Sequence, residues 1–152
     1  MAGNPAGGKA TGRGCKAAIS TDGSTYKDFA SITKLGPPNM SRGTVDVTDL
    51  NSFENNDQMK EVLPDFIEAD EMTIEGFVKA TDEGKDAAET AFYAGTEVYV
   101  KITLPAPINK AMIVQGYIVG YKPIGDITND AGIAFSMNLK PNKKPKLDPV
   151  SA

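Results

Sequence analysis

The sequence predicts a mainly β protein: a β-sandwich or partly open barrel with one flanking α-helix, a long inter-strand loop, and extended N- and C-terminal arms. Three observations carry this expectation. Residues 71–78, 97–104 and 133–139 alternate apolar and polar side chains with the period of two that a half-buried strand requires. Residues 81–94 switch to a helical period, and only there. About seven strand-like segments against a single helix leave a sheet-built core as the architecture.

Taken in order, residues 1–14 hold five glycines and little apolar surface, so they read as a flexible arm. Within it GNPAGGKA, residues 3–10, nearly spells a phosphate-binding loop. The match fails because no strand precedes it and Ala10 stands where a hydroxyl is needed. Residues 15–20 form a short first strand, and Asp22-Gly23 supplies hairpin-turn chemistry. Residues 25–35 are β-prone through Tyr26, Phe29, Ile32 and Thr33, and stop at Gly36-Pro37-Pro38. Residues 44–48 alternate Val45 and Val47 with Asp46 and Thr48.

In the strand from Glu71, Met72, Ile74, Gly76 and Val78 share one face. Thr81 or Asp82 caps a helix running to about Ala94, with Glu83 and Asp86 in its first turn and Gly95 placed to end it. Ala87, Ala88, Ala91 and Phe92 make a narrow apolar stripe that should lie against a sheet. Val98, Val100, Ile102 and Leu104 alternate along the next strand until Pro105. Residues 111–121 are apolar on both faces, Met112, Val114 and Ile118 on one and Ile113, Tyr117, Val119 and Tyr121 on the other, as in a strand covered on both sides, by its own core and by the helix or a neighbouring subunit. Ile133, Phe135, Met137 and Leu139 face the core from the last strand, and residues 126–132 connect it to the strand before. One domain at residues 15–140 is expected, followed by an extended Pro- and Lys-rich arm at 141–152.

Composition excludes several function classes. The net charge of −4 argues against a protein held to nucleic acid by phosphate contacts. The chain has no histidine, which removes the commonest general base and every His-ligated metal site. A single cysteine, Cys15, allows neither an intramolecular disulfide nor a Cys-type zinc site and reads as a small half-buried residue. Asp126, Asn129 and Asp130 miss the calcium-loop spacing, and Glu68, Asp70, Glu71 and Glu75 read as a solvated face. No catalytic set, metal site or cofactor is expected. Nothing resembles a signal peptide and the apolar runs are too short to span a bilayer, so a soluble protein made in a cytoplasm, with no membrane partner, is expected.

What remains is the insert between the strands at 44–48 and 71–76. It is far longer than the usual connection of about 4–6 residues, and loops of that kind are functional or disordered. It mixes Asp49, Glu54, Asp57, Lys60 and Glu61 with Leu50, Phe53, Met59, Val62, Leu63 and Phe66, more apolar surface than a solvated linker needs. Asn55 or Asn56 can cap one helical turn over 58–63, limited by Pro64. The insert is expected to dock on another copy of the chain.

The succession TVDVTDLNS, PDFIEADEMTIEG, a short helix, KITLP, VQGYIVGY and AFSMNLKPN resembles the major tail tube proteins of long-tailed, non-contractile bacteriophages, over residues 34–141. The resemblance implies a tail-tube fold and a non-enzymatic virion protein assembled as stacked hexameric rings around a lumen through which DNA passes unbound. It implies a tape-measure protein inside the tube, with a tail tip and a tail terminator at its ends. Residues 46–68 become the ring-stacking loop, with Phe53, Met59, Leu63 and Phe66 as anchors and Asp49, Glu54, Asp57, Lys60 and Glu61 as rim contacts. The acidic balance suits a conduit that repels phosphates. Two alternatives stay open: the tube protein of a contractile tail, bacteriocin or type VI-like machine, which a neighbouring sheath would favour, and a β-sandwich ligand-binding module, which exposed aromatics would favour.

Overall fold

A computed structural model describes residues 11–49 and 58–149. The glycine-rich segment up to Ala10, the candidate caps Asn55 and Asn56, and Leu50, Phe53, Glu54 and Asp57 of the insert lie outside the described residues. In chain order the elements are β1 (Lys16–Ser20), β2 (Lys27–Asp28), β3 (Lys34–Gly36), β4 (Met40–Asp46), β5 (Val62–Ala69), β6 (Met72–Phe77), α1 (Glu83–Ala94), β7 (Val98–Thr103), β8 (Lys110–Lys122), β9 (Ala134–Pro141) and β10 (Lys146–Pro149). They fall into two compact units, Pro38–Asp70 and the remainder.

The larger unit is one antiparallel sheet in the order β2-β1-β7-β8-β9-β6-β3, with β10 pairing β8 beyond the end of β9. The alternation read in the sequence is the alternation of burial. Val98, Val100 and Ile102 from β7, Met72 and Ile74 from β6, and Phe135, Met137 and Leu139 from β9 form the core with Ala17, Ile19, Val114 and Ile118. Ile32, Leu35, Ile102 and Leu104 line one apolar recess together with half-buried Cys15. Residues from both halves of the strand order meet there, so the sheet curls toward the partly open barrel expected of it.

Helix α1 covers the core face. Asp82 is its N-cap, as the sequence allows, and its Oδ1 accepts from the Lys85 N–H at 3.0 Å and from the Ala30 N–H at 3.1 Å. The same carboxylate oxygen therefore satisfies a helix-end donor and ties the helix to the segment after β2. Gly95, at φ 70°, closes the other end. Ala88 and Ala91 are buried in the core, and Phe92 packs on Tyr121 with ring centroids 5.8 Å apart. Gly84 sits so close to the passing chain that a Cβ there would lie 2.8 Å from backbone atoms of Asp28 and Phe29.

Three expectations need correction. Residues 25–35 are two short strands rather than one, β2 pairing β1 and β3 pairing β6 at opposite ends of the strand order, because Phe29 is buried in the core between them. Within the single chain β8 is covered on its core face alone: Tyr117 and Val119 are exposed, so the helix does not cover them, and the pairing shifts between Ile118 and Gly120. That bulge turns Tyr121 to the core side, where it meets Phe92 rather than sharing the face of Tyr117. Ile133 precedes β9 and is exposed; its carbonyl, not its side chain, is used, accepting from the Val78 N–H at 2.8 Å.

The second unit is a two-stranded antiparallel ribbon, β4 against β5. The long insert is thus partly sheet. Its second half pairs with residues 40–46, and the helical turn over 58–63 does not form. Gln58 takes φ 65° and Val62 and Leu63 are already extended. Pro64 is tolerated because a two-stranded ribbon has only edge strands.

Candidate assembly interface

The ribbon's backbone is well specified. Met40 pairs Ala69, Arg42 pairs Ile67, Val45 pairs Leu63 and Asp46 pairs Val62. Between Arg42 and Thr44 the register shifts by one, so Asp65 and Phe66 together oppose Gly43. This bulge is fixed by its own hydrogen bonds: the Arg42 Nη1–H donates to the Asp65 carbonyl at 3.0 Å and the Phe66 N–H to Asp65 Oδ1 at 2.8 Å. Arg42, Pro64, Asp65, Phe66 and Ile67 line a shallow notch there. At the far end, the Thr48 N–H donates to Asp46 Oδ1 at 2.9 Å and the Glu61 N–H to Thr48 Oγ1 at 3.0 Å. Hydrogen bonds from Thr48, hydroxyl first and then N–H, hold the Asp46 carboxyl below the usual carboxylate range.

Both faces of the ribbon carry apolar side chains. Register puts Val45, Val47 and Leu63 on one face with Glu61 and Glu68, and Met40, Val62, Pro64 and Ile67 on the other. Every one of these apolar residues is exposed, as is Met59, and Phe66 is 85% exposed. A lone two-stranded ribbon is marginally stable in water. Contiguous exposed apolar surface rimmed by charge is the signature of an interaction site.

Of the residues picked from sequence, Met59, Lys60, Leu63 and Phe66 are exposed and Glu61 is half-buried on this ribbon or its approach, and Asp49 lies just beyond Thr48. Phe53, Glu54 and Asp57 lie outside the described residues. Sequence reasoning missed Met40 and Arg42, and left Ile67 unnamed inside the 46–68 loop. The available signal was the run MSRGTVDV, whose alternation Gly43 interrupts.

The face of the larger sheet that looks away from the core carries exposed Tyr117 and Val119 and, beside them, polar side chains that cross-link its strands. The Gln115 amide donates to Glu97 and, at 3.3 Å, to the Tyr99 hydroxyl, while Asn142 Nδ2 donates to Glu97 Oε2 at 2.8 Å. The Asn142 bond, then that from Gln115, holds the Glu97 carboxyl below its usual range. Lys101 stands over the Tyr26 ring at 5.4 Å, and Lys34 faces Glu75 at 3.9 Å. Burial pushes the Tyr26 hydroxyl pKa up. Among the described residues no group of three or more acidic or thiol side chains is placed to hold a metal ion.

No protein-family model matches this chain, and no curated protein sequence does. Solved structures do. The tail of an empty gene transfer agent particle, of C6 symmetry, superposes with a TM-score of 0.69 at 15% identity, over 95% of this chain and 100% of that one. The SPP1 tail tube superposes at 0.66 and 16% identity, over 94% and 81% of the two chains. A chain of the six-fold symmetrised anti-feeding prophage baseplate superposes at 0.64 and 10% identity, over 95% and 98%. The likeness lies in the fold and not in the sequence, and the fold of this chain is that of tail tube proteins.

Proposed function

We propose that this chain is the repeating subunit of a hollow tail tube, stacked in rings of six and serving a phage-type virion as the conduit for DNA. The observation that carries this reading is the β4–β5 ribbon, apolar on both exposed faces, on a chain with the tail-tube fold. A ribbon so built needs a partner to be stable, and a head-to-tail contact between identical copies propagates into a filament. The sheet's end strands support lateral closure. β2 and β3, of two and three residues, leave backbone edges that a neighbouring copy in a ring would pair.

In this reading residues 46–68 contact the next ring, with Met59, Leu63 and Phe66 as anchors and Asp49, Lys60 and Glu61 at the rim. Residues 15–140 are the ring-forming domain and 1–14 and 141–152 its arms. The role is structural and involves no reaction. A tape-measure protein occupies the lumen, and tip and terminator proteins close the ends. The similar terminating cap of the anti-feeding prophage supports the last of these. The test is electron microscopy of concentrated pure protein, in which hollow tubes or six-fold rings are expected.

A second reading has its own support. A chain of an extracellular contractile injection system's sheath–tube complex superposes at a TM-score of 0.60 over 90% of this chain. Co-purification of the tubes with an outer sheath from the source cell would favour that setting, and bare tubes the non-contractile one.

A further inference from the structure

Charge is divided unevenly between the two units. Residues Pro38–Asp70 hold eight acidic and two basic side chains, a net −6, whereas the remainder holds twelve acidic and fourteen basic, a net +2. The acids of the small unit are placed beside its apolar surface. Register puts Glu61 and Glu68 at the two ends of the ribbon face that carries Val45, Val47 and Leu63. This face offers an apolar stripe with a negative charge at each end.

The larger unit contains a matching feature in residues 140–146, KPNKKPK. The connection between β9 and β10 is held down at several points. The Asn142 N–H donates to the Gln115 carbonyl at 2.8 Å, its side chain donates to Glu97, Pro145 is buried, and from Lys146 onward the chain pairs with β8. Between those anchors Lys143 and Lys144 are exposed, with Lys146 exposed directly after them. Glu97, a carboxylate that Lys143 feels within its own chain, is already bonded to Gln115 and Asn142. The turn therefore presents its lysines from a fixed backbone. Little conformational entropy is lost when such a turn is engaged.

We infer that the basic turn at residues 142–146 of one copy docks against the acidic, apolar face of the β4–β5 ribbon of a second copy in the adjoining ring. This rests on the tube reading and adds to it the surface that receives the ribbon. Unlike charges on the two partners set the polarity of stacking, because ribbon-to-ribbon and turn-to-turn approaches oppose like charges. Apolar contact through Leu63 and Phe66 then supplies the adhesion.

The test uses the full-length protein and reads the concentration at which tubes or rings sediment, for the wild type, Lys143→Glu/Lys144→Glu, Glu61→Lys/Glu68→Lys and the four-site combination. Exposed pairs are weak singly, but a ring repeats the contact in every subunit, so each double reversal should raise that concentration about tenfold or more. The combination should return it to within about threefold of wild type, since the pair is restored with its signs exchanged. Lys143→Gln/Lys144→Gln covers the case in which a reversal harms folding. It should weaken assembly at about 0.05 M salt and converge on the wild type near 0.5 M, where the charges are screened. Lysine reversals that assemble like the wild type, or a combination no better than its parents, overturn the docking while leaving the tube reading intact. A wild type that forms no rings or tubes in any of these conditions removes the tube reading and the docking with it.

Discussion

Replacing Phe66 with alanine isolates the ribbon's contribution to assembly. In the single chain the ring is 85% exposed and sits in the β5 bulge, which is fixed by the Arg42 and Asp65 side chains bonding backbone groups rather than by the ring itself. An exposed substitution of that kind changes the subunit's own stability by only about 0.5 kcal/mol either way. Against a neighbouring copy the ring would be buried, and full burial of a phenylalanine is worth about 1.5–3 kcal/mol. Its removal then weakens stacking by about 10- to 150-fold per subunit, and every subunit of a ring carries the same deficit. The assays are thermal unfolding of dilute protein and sedimentation of concentrated protein. Phe66→Ala should melt with the wild type yet fail to sediment at a concentration where the wild type assembles fully. Assembly at the wild-type concentration would refute the reasoning. A large drop in melting temperature would also refute it, since it would place the ring in the subunit's own core.

Three further outcomes follow from the larger unit. Gly84→Ala gains about 0.8–1 kcal/mol of helix propensity, but its new methyl would lie 2.8 Å from the backbone of Asp28 and Phe29 and lift the helix at a cost of about 1–3 kcal/mol, so a lower urea midpoint is expected and a higher one would contradict the packing. Asp82→Ala removes the cap and strands the Ala30 N–H, together about 2–4 kcal/mol in urea unfolding, while Asp82→Asn keeps an acceptor and should lose markedly less. Asn142→Ala should let the Glu97 carboxyl titrate closer to its ordinary value of about 4.3 in NMR titrations. Because Glu97 titrates low in the folded chain, its contribution is present above that ordinary value and lost as pH falls through the folded one. The variant and wild type should therefore differ near neutral pH and converge in acid, and a constant difference would contradict the assignment.

The parts of the fold legible in the sequence are those whose stabilising partners lie within the chain. Val98, Val100 and Ile102 alternate because one side of β7 is core, and Asp82 and Gly95 mark the ends of α1 because orphan helix donors and acceptors need those residue types there. β5 is illegible for the converse reason. Neither of its faces is buried within this chain, so Val62, Leu63, Phe66 and Ile67 show no inward period, and Pro64 and Asp65 conceal the rest. β10 pairs with β8 through its backbone while all four of its side chains stay exposed, which leaves no pattern to read. A strict period of two puts Tyr121 on the wrong face, because a one-residue bulge at Val119 inverts everything after it and no residue type announces that shift. The candidate interface is legible only as an excess of apolar residues in a polar stretch. Its register and the matching basic turn emerge once β4 is paired with β5 and Asn142 is seen bonded to Glu97.

The most direct measurement of the central claim is negative-stain electron microscopy of the concentrated wild-type protein with its mass in dilute solution. Hollow tubes whose end views have six-fold symmetry are expected, formed without any added component. A folded protein that stays monomeric across the whole accessible concentration range, with neither rings nor tubes, would contradict it.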